Sequence, residues 1–176
     1  LLEISSIDYS IKGGYIHQIY NVLLLFNRVN DNKFDKDLLN DLDSSNKVLI
    51  SIPPKNQTDI VLKVFDAIFK KNKFNWLTYL SATSVYGDKK GKWVDEETNP
   101  EPTSDRGVAR LKAENNWLKY YKNFKLPVQI FRLSGIYSIE NNVIERLKAG
   151  TLKIVEKDNH FFSRIHVEDI AKILTL

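Results

Sequence analysis

The sequence alternates short apolar runs, rich in β-forming residues, with longer stretches of helical periodicity, and this alternation constrains the fold more than any other feature. The apolar runs cover residues 22–26, 47–52, 76–80 and 128–133. Between the second and third runs, apolar residues recur at helical spacing over residues 60–69. Strands that alternate with helices in this way form parallel sheets covered by helices. The sequence therefore predicts an α/β fold built on a doubly wound parallel sheet.

Polar caps and prolines mark where the predicted helices begin and end. Thr58 or Asp59 can cap the helix between the second and third runs. A polar loop over 87–102 precedes a second helix, which begins near Ser104 and is expected to end before Pro127. The inward stripe of this second helix is expected to consist of the large apolar residues Val108, Leu111, Trp117, Leu118 and Tyr121.

Three smaller elements are expected after the fourth run. A short helix over 142–149 should stop at Gly150, and residues 161–167 should be extended. A terminal helix should then begin at Glu168 and Asp169, because acidic side chains suit a helix N-terminus.

Composition excludes several function classes. No apolar run approaches the roughly 18 residues of a membrane span, and the chain has no Cys, so we expect a cytoplasmic protein without a membrane role. The 26 Lys and Arg are interleaved with 22 Asp and Glu, which argues against nucleic acid as a partner. The 3 His lack metal-ligand spacing, so we expect no metal site.

The beginning of the sequence is unusual for a translated chain. It contains no Met and opens with Leu1, Leu2 and Glu3. We therefore expect the sequence to be a fragment that lacks its true N-terminus.

Ligands of an open parallel sheet bind where the strands end, at the loops that lead into the helices. The residues at this edge are Ser51, Ile52, Pro53 and Pro54 after the second run, Ser81, Ala82, Thr83 and Ser84 after the third, and Ser134, Gly135, Ile136 and Tyr137 after the fourth. Ser, Gly and Pro also populate ordinary turns, so a ligand site and simple turn chemistry both explain them.

Six segments in fixed order carry a more specific signal. They are YLSATSVYGD at 79–88, WVDE at 93–96, PTS at 102–104, RLKAE at 110–114, FRLSGIY at 131–137 and RIHVEDIA at 164–171. Together they resemble the NAD-dependent epimerase/dehydratase family, the extended short-chain dehydrogenase/reductases. The resemblance implies a Rossmann-type fold, truncated at both ends. Residues 1–176 would then form a single partial NAD(P)-binding domain, with part of the substrate region near 138–166.

The resemblance implies NAD or NADP as cofactor. The residues expected to bind it are Ser51, Ile52, Pro53, Pro54, Ser81, Arg110, Ser134, Gly135 and Ile136. The glycine-rich turn that holds the pyrophosphate in this family is absent, since the pair Gly13 and Gly14 follows a polar stretch and lacks a third glycine. Pro53 and Pro54 also offer no backbone N–H to phosphate, so we expect weak cofactor binding.

The catalytic triad of the family would be a Ser or Thr, a Tyr, and a Lys four residues after the Tyr. These positions fall on Ala82, Arg106 and Arg110, so all three depart from the pattern. A guanidinium is a poor proton shuttle near neutral pH, although it can bind carboxylate or phosphate. Thr83 could supply the missing hydroxyl, but adjacent residues on a strand face opposite sides. A pocket-facing Arg164 could meet an anionic substrate group.

Two functions remain open at this point. The resemblance implies an epimerase/dehydratase-like protein with a degenerate triad, which acts on a nucleotide-sugar-like small molecule. The loss of the hydroxyl, phenol and amine groups favours instead a non-catalytic dinucleotide-binding or scaffold protein. A homodimer of the intact parent protein is compatible with either function.

Overall fold

The computed structural model describes residues 22–25, 29–30, 33–34, 37–71, 73–153, 156, 159–161 and 163–175. The glycine pair at 13–14 and the last residue of the first predicted run, Phe26, lie outside this part. The chain forms two compact units. The larger unit runs over Asn21–Asp88 and Val94–Arg132, and the smaller one includes Lys89–Trp93 and Leu133–Leu176.

Strands and helices alternate along the described chain. The strands are β1 (Val22–Leu25), β2 (Val29–Asn30), β3 (Lys33–Phe34), β4 (Lys47–Ile50), β5 (Trp76–Ala82), β6 (Val128–Leu133), β7 (Gly135–Tyr137) and β8 (Arg164–His166). The helices are α1 (Asp37–Ser44), α2 (Ile60–Lys70), α3 (Asp105–Phe124), α4 (Val143–Lys148) and α5 (Val167–Thr175). A 3₁₀ turn over Thr83–Tyr86 follows β5.

One sheet contains all four predicted strands, in the spatial order β1, β4, β5, β6. β1 pairs in parallel with β4, and β4 pairs in parallel with β5, so that Leu24 lies beside Leu49 and Leu49 beside Thr78. The prediction of an α/β fold with a parallel sheet is therefore confirmed. Because β4 and β5 run the same way, the loops that follow Ile50 and Ala82 leave the sheet at the same edge.

The core of the larger unit forms where α2 and α3 cover one face of this sheet. Alternate strand residues, including Leu77 and Tyr79 of β5, pack with Phe65 and Phe69 of α2. Trp117 of α3 is completely buried among them. Its ring lies edge-on to Phe69, with 5.1 Å between ring centroids, and stacks on Tyr79 at 6.2 Å.

The predicted inward stripe of α3 is wrong in large part. Trp117 is buried as expected, but Val108, Leu118 and Tyr121 are exposed. The buried face consists of Gly107, Ala109, Ala113, Glu114 and Trp117. Small side chains let the helix axis approach the sheet closely, so the larger apolar residues are left on its outer faces.

The predicted helix caps agree with the structure. Asp59 rather than Thr58 caps α2, Ser104 caps α3, and a short helix ends just before Gly150, where φ is +65°. Within the segment predicted to be extended over 161–167, Arg164–His166 form a strand, and Val167 already belongs to α5. Within the described ranges, no helix has the length and apolar character needed to cross a membrane.

Candidate functional site

The carboxyl edge of the sheet in the larger unit brings two predicted site segments together. Ser51, which is buried, continues from β4 into the loop that contains Pro53 and Pro54. Ser81 and Ala82 end the neighbouring strand β5. The sequence analysis placed Thr83 on a strand, but in the structure Thr83 begins the 3₁₀ turn. The alternation that would have turned it away from Ala82 therefore does not apply.

Two buried hydroxyls on β5 stand out because neither forms a hydrogen bond of good geometry within the described part of the chain. They are Tyr79 OH and Ser81 Oγ, which belong to the same face of the strand. Burial raises the pKa of Tyr79, and the nearby Arg110 guanidinium opposes this shift. Buried hydroxyls normally bind a protein group, a water or a ligand. The Ser81 hydroxyl lies at the carboxyl edge of the sheet, where β5 ends.

The two arginines at the predicted Tyr and Lys positions have different environments. Arg106 lies in the first turn of α3 and is exposed. Arg110, one turn further on, is half-buried, and its Nη1 donates a hydrogen bond to the carbonyl oxygen of Leu80. The guanidinium at the predicted Lys position is thus anchored to the end of β5.

A buried carboxylate joins the beginning of α2 to the middle of α3. Asp59 is only 7% exposed, and its Oδ1 accepts hydrogen bonds from the backbone N–H groups of Val61 and Leu62 at 3.0 and 3.1 Å. Its Oδ2 accepts from Trp117 Nε1 at 2.8 Å. Burial raises the pKa of Asp59, although these hydrogen bonds and the charge of Arg110 favour the ionised form.

A second buried carboxylate braces α3 against β6. Glu114 is 1% exposed, and both of its oxygens accept hydrogen bonds from the Arg132 guanidinium, the shortest at 2.8 Å. These bonds raise the pKa of Arg132 above its usual value. The same guanidinium lies over the Tyr86 ring, 4.8 Å from the centroid. Tyr86 in turn donates from its OH to the Asp95 carbonyl at 2.7 Å, which ties the loop after the 3₁₀ turn to this brace.

The beginning of α3 lies directly against the 3₁₀ turn. A Cβ at Gly107 would lie 2.5 Å from the Ser84 carbonyl oxygen and 2.9 Å from Pro102 Cβ. Only a residue without a side chain fits here, and this close approach brings Arg110 to the end of β5.

Replacement of Gly107 by Ala should destabilise the protein, although alanine favours a helix over glycine by about 1 kcal/mol. The clash with a backbone oxygen should outweigh this gain and lower the free energy of unfolding by about 1–3 kcal/mol, measured in urea. Asn115→Ala, at an exposed position of the same helix, is the control and should change it by less than about 0.5 kcal/mol. An equal or higher stability of Gly107→Ala would contradict the close approach.

The other predicted site residues belong to the smaller unit. Ser134 and Ile136 flank Gly135, which pairs with Arg164 in the parallel register of β7 and β8. The Arg164 side chain lies over Gly135, since a Cβ at that position would be 3.1 Å from its Nη1. Arg164 is exposed. The structure therefore brings Gly135 and Arg164 together.

The sequence did not indicate a role at the site for Glu114, Arg132 or Tyr86, although all three stand within the quoted motif segments. It indicated Trp117 only as a core residue. One signal could have found Glu114. Ala109, Ala113 and Trp117 share a helical face with spacing of four residues, and Glu114 adjoins that face. An acidic residue beside a small-residue stripe indicates a buried carboxylate that needs a cationic partner.

A model of the NAD dependent epimerase/dehydratase family matches residues 54–176. The uncharacterized UDP-glucose epimerase YtcB of Bacillus subtilis is 34% identical over 68 residues, which are 39% of this chain and 21% of that protein. A functionally unknown conserved protein from Silicibacter pomeroyi DSS is similar in structure, with 42% identity and a TM-score of 0.67. That match covers 76% of this chain and 47% of the other.

The fold is also similar to that of dTDP-glucose 4,6-dehydratase from Bacillus anthracis, solved in complex with NAD. The identity is 19% and the TM-score 0.69, with 96% of this chain and 66% of that one covered. The chain spans about half the length of the Silicibacter structure and a fifth of the Bacillus subtilis relative.

Proposed function

Because the chain belongs to the NAD dependent epimerase/dehydratase family, we propose that it is an epimerase/dehydratase-like protein with a degenerate catalytic triad. It binds NAD or NADP at the carboxyl edge of the sheet and takes a nucleotide-sugar-like small molecule as its substrate. Support for the substrate class comes from the relatives, whose names specify UDP-glucose and dTDP-glucose. We place the protein in the cytoplasm.

The observation that carries this proposal is the anchored guanidinium of Arg110. It occupies the position that a lysine has in the family triad, and its hydrogen bond to the Leu80 carbonyl holds it at the end of β5. A fixed cation at this edge can attract the anionic or hydroxyl-rich part of a cofactor or substrate. It cannot move protons as an amine would, since a guanidinium stays protonated.

Other residues at the same edge could hold the dinucleotide. Ser81 has a buried hydroxyl with no hydrogen bond to the described residues, and Ser51 directly follows the neighbouring strand β4. Ile52, Pro53 and Pro54 form the loop after Ser51, and the two prolines have no backbone N–H to donate to a phosphate. When bound, the nicotinamide would supply hydride transfer. The residues at this edge would orient it. For Ser134, Gly135 and Ile136 of the smaller unit, cofactor contact is a proposal from the family resemblance alone.

Arg106 is the proposed substrate-side residue, because it is exposed one turn before Arg110. Two guanidinium groups on one helical face can bind a carboxylate or phosphate. Thr83 at the beginning of the 3₁₀ turn is the candidate for the missing hydroxyl beside Ala82, and Arg164 is a further candidate for an anionic group.

A non-catalytic dinucleotide-binding protein is the second candidate. The observation that favours it is that neither Ala82 nor Arg106 carries a phenol or hydroxyl for proton transfer, while Arg110 is engaged with the strand. General acid–base catalysis typically contributes a factor of about 10²–10⁴ in rate. Even with Thr83 as the hydroxyl, the two triad positions on α3 carry neither a tyrosine nor a lysine.

One experiment separates the two candidates. NAD and NADP are titrated into the protein by calorimetry, and turnover is assayed with UDP-glucose as the probe. We expect weak but measurable dinucleotide binding, and we expect the triple variant Ala82→Ser, Arg106→Tyr and Arg110→Lys to raise turnover by about 10²-fold or more. Parental turnover that Arg106→Ala abolishes would instead make Arg106 a catalytic residue. Absence of dinucleotide binding would reject the proposed function.

A further inference from the structure

A single buried carboxylate accepts three N–H groups that come from two different helices. Asp59 Oδ1 accepts from Val61 and Leu62 at the N-terminus of α2, and Oδ2 accepts from Trp117 Nε1 in α3. Both oxygens are used, so a side chain with only one acceptor oxygen cannot make the same set of bonds. The position thus demands a carboxylate rather than an amide.

This arrangement links the two parts of the proposed site. The loop from Ser51 leads into α2, whose N-terminus Asp59 caps. Trp117 lies on the buried face of α3, about two turns after Arg110. The indole stacks on Tyr79, two residues before Ser81 on β5, so a shift of Trp117 would also shift α3 relative to the strand end.

We propose that Asp59 is the positioning residue of this site. By binding α2 with one oxygen and Trp117 with the other, it fixes α3 so that the Arg110 guanidinium stays against the Leu80 carbonyl. The inference rests on the proposed function only for its effect on dinucleotide binding. The placement of Arg110 itself is measured independently.

The first test is a ¹H–¹⁵N spectrum of the protein and its Asp59→Asn variant. If the amide oxygen of the Asp59→Asn variant still caps α2, the NH₂ group of the same side chain faces Trp117 Nε1–H. Two hydrogen-bond donors then face each other. We expect the indole signal of Trp117 to shift, and the Nε–H signal of Arg110 to shift or broaden with it. The two signals are assigned by their loss in Trp117→Phe and Arg110→Lys.

The second test is rescue by a matched substitution. Trp117→Phe removes the indole N–H but keeps a ring in the core, so Asn at position 59 no longer meets an opposing donor. We expect Asp59→Asn alone to weaken NAD binding about tenfold. The double variant Asp59→Asn with Trp117→Phe should bind NAD more tightly than Asp59→Asn alone. Leu42→Ala, a buried core change on α1, is the control for general destabilisation and should leave the Arg110 signal in place.

An unchanged Arg110 signal in Asp59→Asn, with a shifted indole signal, would overturn the positioning role. So would a double variant that binds no more tightly than Asp59→Asn alone. If the unaltered protein binds no dinucleotide while the Arg110 signal still depends on Asp59, the proposed function fails and the positioning role stands.

Discussion

Replacement of Arg132 by Met is expected to cost about 3–5 kcal/mol of unfolding free energy at neutral pH. The reason is the environment of Glu114, whose side chain is 1% exposed and whose oxygens both accept from Arg132. Without the guanidinium, an ionised carboxylate remains buried with no cation to compensate it. Chemical unfolding monitored by circular dichroism measures the loss.

The matched control is the double variant Arg132→Met with Glu114→Leu. It removes both charges and fills the space with apolar side chains, so most of the lost stability should return. A residual deficit of about 1 kcal/mol is expected, because the contact of Arg132 with the Tyr86 ring is also lost. If the double variant is no more stable than Arg132→Met alone, the buried charge is not the cause of the loss.

The fold was predictable because it depends on patterns that are local in sequence. The four apolar runs became the four strands of one sheet, and Asp59 and Ser104 became caps because short polar side chains satisfy the free N–H groups of a helix N-terminus. Gly150 stops a helix for an equally local reason, its positive φ.

The packing of α3 was not predictable from its hydrophobic pattern. That pattern selects large apolar residues such as Val108 and Leu118, whereas the buried face contains the small residues Gly107, Ala109 and Ala113. Close approach depends on the shape of the neighbouring turn, which is brought there by residues distant in sequence. The same holds for Glu114, which is buried because Arg132 lies 18 positions away on β6.

The candidate site was predictable only as a set of positions. The end of β4 and the end of β5 could be placed at one edge because parallel strands share their direction. The hydrogen bond of Arg110 to Leu80 and the link from Asp59 to Trp117 depend on side-chain conformations and tertiary contacts, which residue spacing does not encode. The proposed roles of Arg106, Thr83 and Arg164 remain predictions.

Protein stability should also be sensitive to a single added methyl group at Gly87, where the loop between β5 and α3 begins. Gly87 has φ +70° and ψ −157°, a conformation essentially restricted to glycine. A Cβ there would lie 2.0 Å from the Glu101 carbonyl oxygen, far inside van der Waals contact. Because Glu101 leads within three residues to Ser104, the cap of α3, relief of this clash must move the beginning of the helix.

We therefore expect Gly87→Ala to lower the unfolding free energy by about 3 kcal/mol or more, from backbone strain and the clash together. Gly150→Ala is the matched control, since Gly150 also has a positive φ, of +65°, but nothing lies within 4 Å of its Cβ position. That variant should lose only about 1 kcal/mol. Equal losses of unfolding free energy in the two variants would show that backbone conformation alone accounts for the effect. The contact between Gly87 and Glu101 would then not hold the beginning of α3 in place.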